Sequence, residues 1–309
     1  MSRERWAADQ IPSQEGRTHV ITGANTGLGL AAATELAGHG AHVVLACRNL
    51  GKAEAAAAEI RRRRPNAIVD VAELDLGSLD AVREQSAAML ERFPTIDVLM
   101  NNAGVMHPPR SKTADGFELQ LGTNHFGHFV LTSRLLPALR QAPGSRVVTV
   151  SSIAHAQGGD IHFDDLNFER RRYSRQLTYA QSKLANLIFA RELDRRLRAA
   201  GVESPASVAV HPGVAATELS RHLPFPLNKG FGLARFTPFA QDPKMGALSQ
   251  LLAATDPRVE GGDYWGPRGP FGMSGHPGHS DSTRKAKDPE IARRLWEVSE
   301  ELTGETYAV

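Results

Sequence analysis

The regular alternation of apolar, β-branched runs with helical stretches is the feature that most constrains the fold of this chain. Six such runs occupy residues 18–23, 42–47, 68–74, 96–104, 146–152 and 207–213. Strands that alternate with helices imply right-handed crossovers and a mostly parallel sheet. The runs are nearly continuously apolar, as expected where helices cover both faces. The sequence therefore predicts an α/β fold with a doubly wound parallel sheet.

Size and composition favour one large globular domain. The chain has 309 residues, of which 41% are hydrophobic and 23% are charged. We expect a polar leader over residues 1–15 and a single domain over 16–309, with a substrate-pocket elaboration at about 214–280. A formal charge of +2 provides no field that would recruit nucleic acid, and the single cysteine, Cys47, excludes an intrachain disulfide. No apolar run is long enough to span a membrane, so a cytoplasmic protein is expected.

Residues 22–29 read TGANTGLG and lie between the first predicted strand and its helix. Glycines there permit a tight turn that brings backbone amides and the start of the helix against an anion, typically the pyrophosphate of a dinucleotide. The spacing differs from plain GxGxxG, but the position between strand and helix is the context that indicates a cofactor site. The predicted contacts are Gly23, Asn25, Thr26, Gly27, Leu28 and Gly29.

The end of the second strand bears on the choice between the two nicotinamide cofactors. A carboxylate there would accept the ribose 2′-hydroxyl of NAD, but the sequence reads Cys47-Arg48-Asn49. An arginine offers a planar fork to the 2′-phosphate of NADP. We therefore predict NADP (NADPH) in preference to NAD, with Arg48 and Asn49 at the adenosine end.

Polar and small residues also follow the third and fourth predicted strands. Asp75 and Leu76 come after the third, where a carboxylate can reach the adenine amino group, and Asn102, Ala103 and Gly104 come after the fourth. Each alone is equally typical of a strand-ending turn. Together these strand ends open onto one crevice, which is where open α/β sheets bind ligands.

Six motifs in a fixed order resemble those of the classical short-chain dehydrogenases/reductases over residues 17–215. They are TGANTGLG, NNAG, Asn124, Ser151-Ser152, Tyr179-x-x-x-Lys183 and the HPG of 211–213. A narrower resemblance, to the retinol dehydrogenase-like branch that includes the WW-domain oxidoreductase, is carried by ACRN, SSIAH and LWEVSEELTG. The resemblance implies a Rossmann-like fold of about seven strands in three α/β/α layers, a nicotinamide cofactor and a homo-oligomer, either a dimer or a tetramer.

The resemblance also implies catalytic roles for Asn124, Ser152, Tyr179 and Lys183. An isolated Tyr-x-x-x-Lys is more often an exposed pair on one helix face, but the surrounding motifs favour a catalytic pair here. A nearby cation favours phenolate, so Lys183 is expected to lower the pKa of Tyr179, the general acid or base. Ser152, the second serine of its pair, would bind the substrate oxygen. Asn124 would hold a water that relays protons to Lys183, which would also bind the nicotinamide ribose.

The segment after the sixth strand is expected to contact the nicotinamide amide through Pro212, Gly213, Val214 and Thr217. For Thr217 alone, a helix N-cap is an equally good interpretation. His276 and His279 lack a partner carboxylate or cysteine at ligand spacing, so no metal site is predicted. The aromatic pair Tyr264-Trp265 either lines an apolar pocket or packs in the core.

The sequence thus predicts an NADP(H)-dependent oxidoreductase that interconverts a carbonyl and an alcohol on a lipophilic small molecule. Two alternatives remain at this point. One is an NADPH-binding regulatory protein without turnover, although Tyr179 and Lys183 are both retained. The other is a reductase of a carbon–carbon double bond.

Overall fold

The centre of the fold is a sheet of eight strands, seen in a computed structural model that describes residues 5–215 and 241–308. The strands are β1 (Thr18–Thr22), β2 (His42–Cys47), β3 (Ile68–Glu73), β4 (Val98–Asn101), β5 (Arg146–Val150), β6 (Ala206–Val210), β7 (Tyr264–Pro267) and β8 (Pro277–His279). Their order across the sheet is β3-β2-β1-β4-β5-β6-β7-β8. The first seven are parallel, and β8 pairs antiparallel to β7 through Trp265 and His279. The predicted doubly wound sheet is confirmed, with one edge strand more than the expected seven.

Helices in the described residues connect these strands, as the alternating pattern predicts. They are α1 (Gly27–Gly38), α2 (Leu50–Arg63), α3 (Leu79–Arg92), α4 (Leu119–Leu121), α5 (Gly127–Arg140), α6 (Arg175–Ala199), α7 (Pro243–Thr255) and α8 (Pro289–Thr303). Several helices are capped at their N-termini by a side chain. Asn49 caps α2 and Ser174 caps α6, each by accepting a backbone hydrogen bond.

The core lies on both faces of the sheet because adjacent strand residues point to opposite sides. On β1, Val20 joins an apolar cluster with residues of α3, α5, α6 and α8, whereas Ile21 joins a second cluster with residues of α1, α2 and α7. Both side chains are fully buried. This three-layer arrangement explains why the strands read as continuous apolar runs rather than as alternating ones. Trp6 and Ile11, before β1, pack into the second cluster.

The helical segment between β4 and β5 is divided rather than continuous. After α4, a single π-helical turn covers Gly122–Phe126, and α5 continues from Gly127. Such turns insert an extra residue into a helix and are frequent at functional sites. Asn124 lies on this turn, so its side chain is displaced from the position that a regular helix would give it.

The strand order reverses between β1 and β4, which are neighbours although two strands separate them in sequence. Ligands of open α/β sheets bind at such a switch point, beyond the carboxyl ends of the strands. The loops after β1, β4, β5 and β6 all leave from this edge. None of the helices in residues 5–215 and 241–308 has the length and apolarity that a membrane crossing requires.

Candidate active site

A cavity of about 870 Å³ opens beyond the carboxyl ends of the strands. This volume lies towards the upper end of the range for small-molecule and cofactor sites, about 300–1,000 Å³. The predicted site residues that border it are Gly23, Asn25, Thr26, Gly27, Leu28, Gly29, Arg48, Asn49, Asp75, Leu76, Asn102, Ala103, Gly104, Ser152, Tyr179, Lys183, Pro212, Gly213 and Val214. The fold thus brings residues that are far apart in sequence, from Gly23 to Val214, around one cavity. Thr217 lies outside the described residues.

The glycine turn has the tight geometry that a dinucleotide cradle requires. Gly23 and Gly27 have φ values of 65° and 57°, which most side chains disfavour. A Cβ on Gly29 would lie 2.8 Å from the carbonyl oxygen of Gly23 and 2.9 Å from Cα of Ala24. Because α1 begins at Gly27, its free amides face this turn. The turn therefore fits a pyrophosphate at the helix N-terminus.

Thr22 fastens the glycine turn to the end of β4, a role that the sequence reading missed. Its hydroxyl oxygen accepts hydrogen bonds from the amides of Asn102, at 2.9 Å, and Ala103, at 2.8 Å. The Asn102 side chain donates in return to the Thr22 carbonyl, at 2.7 Å. His128 Nε2 lies 2.9 Å from the same hydroxyl. A buried hydroxyl at the last position of a strand, beside a glycine turn, is the pattern that could have indicated this junction.

The end of the cavity beside β2 carries two cations, whereas the sequence predicted one. Arg48 and Lys52 both border the cavity, and neither forms an ion pair with another residue of the described chain. Lys52 lies in the first turn of α2, where the helix dipole disfavours a cation. A lysine in this unfavourable position is a signal, visible in the sequence, of an anion site. Lys52 was nevertheless not predicted from the sequence as a site residue. The Asn49 side chain is occupied, since its Oδ1 accepts from the Lys52 amide at 2.9 Å.

Tyr179 and Lys183 lie one turn apart on α6 and face the opposite end of the cavity. They are 9% and 4% exposed, respectively. Lys183 Nζ lies 5.8 Å from the centroid of the Tyr179 ring. It also donates a hydrogen bond of 3.0 Å to the Val150 carbonyl at the end of β5. The ammonium is therefore held against both the sheet and the tyrosine.

Burial dominates the electrostatics of this pair. It raises the pKa of Tyr179 to about 12, against a hydrogen bond from Ser152 that acts in the opposite direction. Burial also lowers the pKa of Lys183 to about 8. In the protein groups alone the cost of burying a phenolate sets the direction of the Tyr179 pKa, and the expected lowering by Lys183 stays a prediction. The phenol is thus protonated at neutral pH.

The two serines after β5 have different surroundings. The Ser151 hydroxyl donates to the Lys183 carbonyl at 2.7 Å and is buried against α6. The Ser152 side chain borders the cavity, and its oxygen accepts from the Ala154 amide at 3.1 Å. The Ser152 hydroxyl proton therefore remains available for a hydrogen bond to Tyr179 or to a ligand. The geometry accordingly favours Ser152 as the residue of this pair that reaches a ligand.

Asn124 lies behind the cavity wall and is fully buried. Its Oδ1 accepts from the Val105 amide at 2.8 Å, and its Nδ2 donates to the Val105 carbonyl at 3.0 Å and to Ser182 Oγ at 2.9 Å. Both ends of the amide therefore hold the loop after β4 and join it to α6. The predicted role in a water relay stays a prediction.

The aromatic and histidine candidates near the C-terminus pack instead of lining the cavity. Tyr264 and Trp265 are buried on β7, and the Trp265 ring lies 3.9 Å from that of His279, centroid to centroid. His276 Nδ1 hydrogen-bonds the Trp6 carbonyl at 2.8 Å. Of the two interpretations of the aromatic pair, packing fits the structure. In the parts of the chain that the structure describes, no three His, Cys, Asp or Glu residues lie close enough to hold a metal ion.

Comparisons with known proteins agree with this geometry. The family described as short chain dehydrogenase matches residues 17–164. The chain is 42% identical over 295 residues to retinol dehydrogenase 13 of Homo sapiens, covering 94% of this chain and 85% of that protein. It is 44% identical over 302 residues to retinol dehydrogenase 12 of Homo sapiens, covering 96% and 88%. The crystal structure of an uncharacterized protein from Mycobacterium Paratuberculosis superposes with a TM-score of 0.81 at 43% identity, covering 99% of this chain and 100% of that one.

The doubly wound sheet, the glycine turn and these matches define the class of protein: the chain belongs to the short-chain dehydrogenase/reductase family of oxidoreductases. Within that family it is retinol dehydrogenase-like, since two relatives of that name are 42% and 44% identical over most of its length. The predicted family and branch are confirmed.

Proposed function

We propose that the protein is an NADP(H)-dependent oxidoreductase that interconverts a carbonyl and an alcohol on a lipophilic small molecule. The observation that carries this proposal is that one cavity has the glycine turn and Arg48 at one end and Tyr179 and Ser152 at the other. The names of the retinol dehydrogenase relatives support an alcohol on an apolar molecule as the reacting group. A cofactor bound there would supply the hydride.

The protein groups supply and direct the proton. Tyr179 is a phenol at neutral pH, so it can donate its proton to a carbonyl oxygen that becomes an alkoxide. Ser152 lies close enough to lower the pKa of the Tyr179 hydroxyl, and both side chains border the same cavity. Both hydroxyls can therefore hydrogen-bond the same substrate oxygen. The bond from Ser152 would stabilise the negative charge that develops on it.

Lys183 contributes a fixed positive charge beside this proton donor. Because its pKa is near 8, the Lys183 amine is protonated in most molecules at pH 7. An ammonium close to Tyr179 stabilises the phenolate that remains after the proton has left. Because burial favours the protonated phenol before reaction, the protein groups are better prepared for carbonyl reduction than for alcohol oxidation.

The residues that would hold NADP follow from their positions along the cavity. The amides at the start of α1 would bind the pyrophosphate, and Arg48 with Lys52 would bind the 2′-phosphate. Asp75 would lie near the adenine, and Lys183 near the nicotinamide ribose. Gly213 has a φ of 66°, and a Cβ there would lie 2.3 Å from the Met273 carbonyl oxygen, so the backbone beside the nicotinamide is closely fixed.

The direct test is oxidation of NADPH by the purified protein with a panel of apolar aldehydes and ketones, followed by product analysis. Alcohol products and faster turnover with NADPH than with NADH would support the proposal. Saturated carbonyl products from α,β-unsaturated substrates would indicate reduction of a double bond instead. Tight NADPH binding without oxidation of NADPH by any substrate would indicate a regulatory protein and overturn the proposal.

A further inference from the structure

The loop between β4 and α4 contains a histidine in an unusual backbone conformation. His107 has a φ of 53°, in the left-handed region that few non-glycine residues adopt. Such a conformation persists only where the surroundings impose it, and it is concentrated at functional sites. The glycine turn and the predicted catalytic residues do not explain it, since His107 belongs to neither.

Two buried amide side chains impose this loop conformation. Asn124 binds both the amide and the carbonyl of Val105, while Gln120 Oε1 accepts from the His107 amide at 2.8 Å. The Gln120 amide group in turn donates to the Arg175 carbonyl at 3.1 Å and to the Thr178 hydroxyl. The loop that carries His107 is therefore tied directly to the first turn of α6, the helix that carries Tyr179.

The His107 ring lies against the proton donor. Its centroid is 5.5 Å from that of the Tyr179 ring, with an angle of 78° between the planes. His107 borders the same cavity as Tyr179 and Ser152, beside the apolar side chains of Met106 and Leu119. The imidazole is thus placed next to the predicted reaction centre, in a wall that is otherwise largely apolar.

The ring has unused hydrogen-bonding capacity. Nε2 of His107 is buried and has no hydrogen-bond partner in the described parts of the chain. Buried polar atoms without partners are uncommon, because the lost hydration is not replaced. Burial and the nearby Arg175 lower the pKa of His107, so the ring is neutral at pH 7 and offers one donor and one acceptor nitrogen. A ligand in the cavity could supply the missing partner.

We propose that His107 is a substrate-binding residue that hydrogen-bonds a second oxygen of the substrate, close to the carbonyl that Tyr179 protonates. The preferred substrates are then apolar ketones or aldehydes with a neighbouring hydroxyl or second carbonyl group, rather than simple monofunctional ones. This inference rests on the proposed carbonyl reduction and specifies its substrate class. A site built to hydrogen-bond a substrate oxygen discriminates strongly against an analogue that lacks it.

The test compares two ketones with the same carbon skeleton, one with an adjacent hydroxyl group and one without. Wild type should reduce the hydroxyketone with at least about tenfold higher kcat/KM than the simple ketone. His107→Gly, which suits the left-handed backbone, should lower kcat/KM about tenfold for the hydroxyketone and leave the simple ketone nearly unchanged. His107→Asn, which also tolerates this backbone and retains a donor and an acceptor, should restore part of the preference.

A structural role for His107 would give a different result: both ketones would lose activity together, and their ratio would not change. That outcome, or a wild-type ratio near one, overturns the inference while leaving carbonyl reduction intact. If neither ketone is reduced, the proposed function fails separately, and the ¹⁵N NMR signals of the histidine ring nitrogens still test the contact. The hydroxyketone should shift the His107 signals and the simple ketone should not; equal or absent shifts contradict the proposal.

Discussion

Lys183 Nζ lies 5.8 Å from the centroid of the Tyr179 ring, yet burial raises the pKa of Tyr179 to about 12. The pair therefore combines a protonated phenol with an ammonium whose pKa is lowered to about 8. A buried acid and a buried base displaced in these directions are poised to give a proton and to stabilise the anion that remains. The predictions below test this arrangement and the cofactor cradle on the other side of the cavity.

Removing the Tyr179 hydroxyl should remove the proton donor without disturbing the fold. We expect Tyr179→Phe to lower kcat for carbonyl reduction by about 10²- to 10⁴-fold, the usual contribution of a positioned acid. NADPH affinity, measured by fluorescence titration, should change little. The matched control is Tyr173→Phe, since Tyr173 donates to Glu118 at 2.9 Å, away from the cavity. Intact turnover in Tyr179→Phe would contradict the mechanism.

Arg48 should decide between the two nicotinamide cofactors. Loss of a charge-assisted hydrogen bond costs about 1.5–3 kcal/mol, so Arg48→Ala should raise KM for NADPH about 10- to 100-fold. The KM for NADH should stay nearly constant, because NADH has no 2′-phosphate. Arg63→Ala, at the other end of α2 and paired with Glu59, is the control and should change neither value. Equal effects on both cofactors would exclude a phosphate contact.

The glycine turn should not tolerate a methyl group. A Cβ on Gly29 would meet the Gly23 carbonyl oxygen at 2.8 Å, so Gly29→Ala should disturb the turn and weaken binding of either cofactor at least about tenfold. Gly51→Ala is the matched control, since its Cβ would meet nothing nearer than Asn49 Oδ1, at 3.6 Å. That change lies in the first turn of α2 and should stabilise the protein by at most about 0.5–1 kcal/mol in urea unfolding, the value for the middle of a helix. Unchanged cofactor affinity in Gly29→Ala would argue against the cradle.

The pH dependence of kcat/KM for NADPH should reveal the titration of Lys183. The pH profile of kcat/KM for NADPH reflects groups of the free enzyme. Because the ammonium is the form that binds ribose oxygens and stabilises phenolate, we expect a plateau at neutral pH and a fall through an apparent pKa near 8. Tyr179 remains protonated over this range. In Lys183→Arg, whose charge persists, the fall should disappear even if the plateau is lower; a fall that persists would assign it to another group.

Buried histidines should make the fold sensitive to acid. Burial lowers the pKa of His128 to about 4, so the unfolded chain binds more protons than the folded protein between about pH 4 and 6.5. The stability that this neutral imidazole contributes is present above 6.5 and is lost as the pH falls towards 4. From pH 7 to 5 the expected loss is about 2 kcal/mol for this group.

The measurement is urea unfolding at pH 7 and pH 5. His128→Gln lowers stability at both pH values, because His128 Nδ1 lies 3.0 Å from the Asn124 carbonyl and Nε2 lies 2.9 Å from Thr22. The informative quantity is the difference between the two pH values, which should shrink by about 2 kcal/mol relative to wild type. An unchanged difference would mean that His128 is not the group that titrates.

Much of the site was predictable because its parts are local patterns at strand ends. The glycine turn, Arg48, Asp75 and the Tyr179–Lys183 spacing can each be read from a few consecutive residues. Parallel strands bring their carboxyl ends to one edge, so these separate patterns converge without further information. Lys52 and Thr22 were missed because the local signal of each is weak, and the importance of each becomes clear only from its neighbours in space.

The amino-acid sequence alone determined the doubly wound fold and the chemical identity of the groups around the cavity, since periodicity and turn residues act over short distances. The tertiary structure decided how those groups behave. It showed that burial raises the pKa of Tyr179, and that Asn124 holds the loop after β4. It also placed the His107 ring against the Tyr179 ring. Desolvation and contacts between distant segments depend on the packing of the whole chain, and no local pattern encodes them.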